Sequence, residues 1–200
     1  MRGNAIHALL LSGPVTAMLF CLGVTCLGLT RPGYSAVRQT ISELGPVGES
    51  GRVSLATLNL IAALGALMFA GGLLSIARQS ALPSLPAYLV GFYAAPVVGL
   101  VAFPSGRPLH NVFGLLQTVS FVGAPWAVAS SWRLEGAAVV AISWIALALM
   151  VCAIVFNLAP GFSKRIATTL EPIYGVVQRA IFVTWHGWCA AIGVLLFVRS

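Results

Sequence analysis

The chain has 200 residues, 59% hydrophobic and only 8% charged, with mean hydropathy +0.98 and a net charge of +7. Soluble domains carry about 25% charged residues, so this composition excludes one. The basic excess does not argue for nucleic acid, because the cations are scattered over loops at both ends of the apolar stretches, as membrane topology and anionic head groups favour.

In chain order, the first apolar stretch covers roughly residues 8–30. Arg2 precedes it, as in a signal peptide, but a run of about 22 residues exceeds the usual 7–15 residue signal core, and no convincing cleavage site follows. The residues before Cys21 and Cys26 make no lipoprotein box, so this stretch is expected to be a retained first helix. The segment RPGYSAVRQTISELG, residues 31–45, comes next and begins a polar, lid-like loop of about 31–52. Within it, Thr40-x-x-Glu43 fits a capping box for a short helix. A second span is predicted at 53–76, where Ala62, Ala66 and Ala70 repeat every fourth residue and would let another helix approach closely. RQSALPSLP leads to a third span at 85–104, and FPSGRPLH to a fourth at 109–131. SSWRLEG, whose Trp132 suits interfacial anchoring, leads to a fifth at 136–158. APGFSKRIATTLEP then leads to a sixth at 174–197. Each span can cross a hydrocarbon core about 30 Å thick. The expected fold is all-α: one polytopic bundle of six transmembrane helices, residues 1–200 forming a single domain in the cell (plasma or inner) membrane.

Six spans put both ends of the chain on one side, so loops one, three and five share the other. Those loops carry Arg31, Arg38, Arg52, Arg107, Lys164 and Arg165, against Arg2, Arg78, Arg133 and Arg199 opposite; the count leans to the three loops as cytoplasmic by two charges, which leaves the absolute orientation open. Parity alone brings the starts of spans four and six to the end that carries the 31–45 segment. Span four opens at His110 and continues along one face through Gly114, Gln117 and Phe121. Span six follows Glu171-Pro172, and its face runs Glu171, Gly175, Gln178, Phe182, His186, with Arg179 adjacent. At about 1.5 Å per residue, Arg179 lies roughly 10 Å and His186 roughly 20 Å beyond Pro172. Arg31, Tyr34, Arg38, Glu43, His110, Gln117, Glu171, Gln178, Arg179 and His186 thus gather at one end.

Ionisable groups inside a span cost about 2.5–3.5 kcal/mol, so they face a bundle interior and pair there. Each also has a plain explanation. Arg179 can snorkel, His186 can hydrogen-bond to one neighbour, Glu43 can cap, and Glu171 can complement a helix N-terminus. Glu49 and Glu135 read as ordinary loop residues. The four cysteines form no C-x-x-C pair, and no zinc or other metal site is expected. GxxxxGK[ST], HExxH, GxSxG and aspartate are all missing from the sequence.

The segments RPGYSAVRQTISELGPVG, FPSGRPLHNVFG and YGVVQRAIFVTWHGW resemble the bacterial and archaeal membrane family called domain of unknown function 998. The resemblance spans nearly the whole chain and implies a six-helix integral membrane protein. It falls on Arg31, Tyr34, Ser42, Glu43, Pro104, His110 and Arg179, and implies no particular activity.

Three functions are open on the residues. A membrane-embedded acid–base enzyme would use Glu43 as proton donor or base, with His110 and His186 relaying the proton. Arg31, Tyr34, Arg38, Gln117, Glu171, Gln178 and Arg179 would hold the substrate, the arginines gripping an anionic head group. An isoprenoid cyclised as by a small membrane-bound terpene cyclase is one such substrate, with Phe92, Tyr93, Phe113, Phe121, Trp126, Phe182 and Trp185 available to face carbocations. A non-catalytic binder or carrier of a membrane lipid or lipid-soluble small molecule would use the same residues, and transport would call for a homodimer. A b-type haem between His110 and His186 is the third; otherwise no cofactor is expected.

Overall fold

A computed structural model describes residues 2–46 and 51–199, and every regular element among them is helical. The first span is α1 (Arg2–Thr30) and the second α2 (Gly51–Gln79). The third is divided into α3 (Leu85–Phe92) and α4 (Ala94–Ala102). α5 (His110–Ser131) and α6 (Ala137–Leu158) follow, then a short α7 (Lys164–Leu170) and the long α8 (Tyr174–Arg199). Six helical stretches are long and apolar enough to cross a membrane, so this is a six-span, multi-pass membrane bundle. Glu49 lies outside the described residues, as does the 47–50 part of the lid-like loop.

The spans form a closed ring in chain order. α1 packs on α2, α2 on α3 and α4, these on α5, α5 on α6, α6 on α8, and α8 returns to α1. Short connections make neighbours antiparallel, which explains the order. The seam between α1 and α8 is closed by paired glycines. A Cβ on Gly13 would sit 2.7 Å from the Cys189 carbonyl oxygen, and one on Gly193 would sit 2.6 Å from that of Leu10. Backbones in lipid come this close only at small residues. Ala62, Ala66 and Ala70 are buried as expected. Polar bonds supplement the packing: Trp188 Nε1 donates to Ser143 Oγ at 3.0 Å between α8 and α6, and Ser12 reaches the Gly65 carbonyl at 3.3 Å.

The break in the third span has a local cause. Pro96 has no N–H to offer the Phe92 carbonyl, and its ring crowds that oxygen. The Tyr93 N–H turns instead to Val90 O at 3.2 Å. The bend sets Tyr93, 1% exposed, at the centre of the ring, within 5.2 Å of Trp185 and 5.8 Å of Phe121, centroid to centroid. Two expectations need correction. Trp132 is buried, not an interfacial anchor; its indole N–H donates to Pro83 O at 2.9 Å and ties two loops together. The fifth loop holds α7, seven residues whose short, mixed sequence gives no apolar periodicity to read.

The connections containing 31–46, 103–109 and 159–173 share one end. In a cysteine-free background, Arg107→Cys and Phe162→Cys are expected to react with an impermeant thiol reagent from one side, and Leu134→Cys from the other. Labelling of all three from one side would contradict the six-span topology.

Candidate functional site

The polar segment after α1 folds on itself before it meets anything else. Arg31-Pro32-Gly33-Tyr34 makes a turn closed by Tyr34 N–H to Arg31 O, 3.3 Å, with Gly33 at φ +73, where only glycine sits without strain. The next turn is held by Gln39 N–H to Ser35 O at 2.8 Å and by Ser35 N–H to Gln39 Oε1 at 2.8 Å. Thr40 then caps a 3-10 turn, Ile41–Leu44. The Glu43 carboxylate accepts the Thr40 N–H at 2.9 Å, the Thr40 hydroxyl at 2.8 Å and the Gln39 amide at 3.3 Å. Arg31 donates back to the Glu43 carbonyl.

This folded segment docks on the first turns of α8. Gly175 offers no side chain, and the carbonyl oxygens of Ala36 and Gln39 occupy the space a Cβ would need. The Val176 N–H, unsatisfied within its own helix, reaches Val37 O at 3.2 Å. Gln178 Oε1 accepts the Ile41 N–H at 2.7 Å. Arg179 donates to the Ala36 and Gln39 carbonyls at 2.7 Å each, to its own helix at Gly175 O, 3.0 Å, and to the Tyr34 hydroxyl. The Tyr34 hydroxyl in turn donates to Thr40 O at 2.8 Å. Burial pushes the Tyr34 hydroxyl above its ordinary range, against the nearby Arg179 guanidinium, so it remains a donor at neutral pH.

Below this segment, α5 and α8 face each other across the ring without meeting closely, and the gap is a cavity of about 560 Å³. Its wall comes from the first turns of α5, the end of α6, the start of α8, and Thr40 and Ser42 above. A narrower space of about 40 Å³ adjoins it, sharing His110, Gln117, Ser42 and Phe182 and adding Arg52 at its edge. Three polar side chains of the larger wall have bonding capacity left over. Gln117 is 3% exposed, and its amide has no hydrogen-bond partner among the described residues. The Asn157 Oδ1 is buried without a partner, while the Asn157 backbone carbonyl accepts from Tyr174 at 3.0 Å. His110 Nδ1 lies 2.9 Å from Phe103 O, at the end of α4. A carbonyl only accepts, so Nδ1 carries a proton, and in the tautomer with a single ring N–H this leaves Nε2 as an acceptor. Among the described residues, the larger wall carries no Asp, Glu, Lys or Arg. Leu115, 57% exposed, and Leu158, 43% exposed, belong to it, so the cavity reaches the outer surface between α5 and α6.

Of the ten residues singled out in the sequence, Arg31, Tyr34, Glu43, Gln178 and Arg179 meet in the docked segment. His110, Gln117 and Gln178 line the cavity. Glu43 does not reach it, and Arg38 and Glu171 are exposed. His186 lies deeper, in a separate space of about 10 Å³, stacked on Phe20 at 4.3 Å with its Nε2 unpartnered. The two histidines therefore line different cavities, and a space of that size holds about one water, not a haem. Phe92 and Trp126 are exposed on outer faces, and of the seven aromatic residues proposed only Phe121 and Phe182 line the large cavity. Sequence reasoning missed Asn157, Tyr174 and Asn111; the signal was an amide or phenol at the edge of an otherwise apolar span.

No curated protein and no solved structure matches the chain. The family profile described as "Protein of unknown function (DUF998)" matches residues 14–195, and the chain belongs to that family.

Proposed function

We propose that the protein binds a lipid-soluble small molecule in the cavity between α5, α6 and α8, within the cell membrane, with residues 31–44 as a fixed lid. The observation that carries this reading is the cavity: about 560 Å³, in the range of ligand pockets, with unsatisfied polar groups at one end and exposed leucines toward the lipid. Polar groups that the protein itself leaves unpaired call for a hydrogen-bonding partner in a low-dielectric setting, which supports a polar-headed occupant. Gln178 serves both parts of the site, lining the cavity while its Oε1 holds the lid.

The test uses Gly114, on the cavity wall, where an added side chain would meet nothing within 4 Å. Gly114→Phe is expected to obstruct the space and to gain up to about 0.5 kcal/mol from helix propensity. Native mass spectrometry from nanodiscs should find a co-purifying apolar molecule on the wild type and none on Gly114→Phe, with the melting temperature unchanged or raised. Bulk phospholipid alone on both proteins would defeat the proposal.

A second reading, acid–base catalysis on an isoprenoid or other membrane lipid, draws on one observation, the anchored His110 with its free Nε2. Glu43, the acid expected from the sequence, has its carboxylate engaged by Thr40 and Gln39. A product that disappears in His110→Gln while substrate still binds would favour the enzyme. Unaltered substrate on the wild type favours the binder.

A further inference from the structure

Resting on that reading, we infer that the occupant is an apolar-chain alcohol whose hydroxyl bonds to Asn157, the buried acceptor of a wall that also offers Gln117 and His110, and not a phosphate or other anion. The amides of Asn157 and Gln117 each offer an acceptor and a donor; among the described residues the Asn157 Oδ1 is buried without a partner and the Gln117 amide makes no hydrogen bond. His110 Nε2 offers an acceptor, because Nδ1 is committed to Phe103 O at 2.9 Å. A hydroxyl both donates and accepts, so it matches an amide in either orientation and also the imidazole. An ether or ketone supplies no proton for Nε2, and a hydrocarbon satisfies none of the three.

An anion is disfavoured by the wall itself. The 560 Å³ space has no cationic side chain on its lining, and a buried charge without a counter-charge is far costlier than a neutral polar group. Arg179, next to the lining residue Gln178, has its guanidinium bonded to the Ala36, Gln39 and Gly175 carbonyls and the Tyr34 hydroxyl. Arg52 borders only the adjoining narrow space and is exposed there. At ~30 Å³ for each water-sized group, the cavity accommodates roughly twenty heavy atoms. That fits a prenyl alcohol of about twenty carbons, or the glycerol end of a diacylglycerol whose tails leave between α5 and α6.

The experiment compares four probes at equal mole fraction in nanodiscs carrying the wild-type protein, with occupancy read by native mass spectrometry. The probes are the prenyl alcohol, its methyl ether, its monophosphate, and dioleoylglycerol. The alcohol is expected to bind roughly tenfold or more tighter than the ether and the phosphate, the worth of one lost buried hydrogen bond or more. Asn157→Leu should abolish the preference over the ether. Diacylglycerol binding above the ether would assign the hydroxyl to a glycerolipid, and prenyl alcohol alone to an isoprenoid. An ether or phosphate that binds as well as the alcohol, and is lost in Gly114→Phe, would overturn the alcohol assignment and leave the binding site standing. If no probe binds, the alcohol assignment falls, and the binding site then stands or falls on the co-purifying molecule compared between wild type and Gly114→Phe.

Discussion

Replacing Gly175 with valine is expected to release the 31–44 segment from α8 and lower the melting temperature by about 5–15 °C, at roughly 2–4 °C per kcal/mol for a chain of this size. The added Cβ would collide with the carbonyl oxygens of Ala36 and Gln39 and lie 2.9 Å from the Gln39 nitrogen. Those are backbone atoms, so no rotamer change relieves the contact, and the segment must move. Moving it breaks the Val176 and Arg179 bonds as well, for a total cost of about 2–4 kcal/mol. Thermal melting in detergent reads the stability. Trypsin reads the release, because Arg38 is exposed but its backbone is held in the docked turn. Faster cleavage after Arg38 should accompany the lower melting temperature. If neither changes, Gly175 is not the seat of the segment.

Arg179→Ala is expected to cost about 2–4 kcal/mol, because the half-buried guanidinium is the shared donor to two carbonyls of the docked segment and the Tyr34 hydroxyl. Charge-assisted hydrogen bonds contribute about 1.5–3 kcal/mol each. Those to Ala36, Gln39 and Tyr34 are lost together, so their worth does not simply add. Arg179→Lys should recover only part, because one ammonium cannot span the carbonyls and the hydroxyl that the two ends of the guanidinium reach. Tyr34→Phe alone should cost about 1 kcal/mol, and the double variant with Arg179→Ala less than the sum. Tyr34 also gives a pH signature. Its folded-state pKa is raised by burial, so its contribution is intact below the unfolded value near 10 and falls as pH rises beyond it. Tyr34→Phe should flatten the alkaline decline of the melting temperature. Equal decline in both proteins would show that Tyr34 does not titrate there.

The segment and the cavity were unequally legible in the sequence. Thr40-x-x-Glu43 announced its own cap, because that bond is local and depends only on three-residue spacing. The turn at Pro32-Gly33 is equally local. Arg179 was visible as an ionisable group needing oxygen acceptors inside a span. A lipid phosphate and two backbone carbonyls are both oxygen acceptors, however, and nothing in the residue type says which it meets. Trp132 misled for the same reason: an indole at a span end bonds equally well to interfacial water or to Pro83.

What the sequence by itself determined is the membrane bundle: six spans, their order, and which polar residues reach the same end. Hydrocarbon thickness fixes span length, short loops fix alternation, and parity fixes the end, and each is a one-dimensional property of the chain. What only the tertiary structure decided is who uses the polar groups. Glu43 and Arg179 are spent on folding and docking residues 31–44, while Gln117, Asn157 and His110 keep free bonding capacity around a cavity. A cavity is the place where α5 and α8 fail to meet, and its existence depends on how all six helices close the ring.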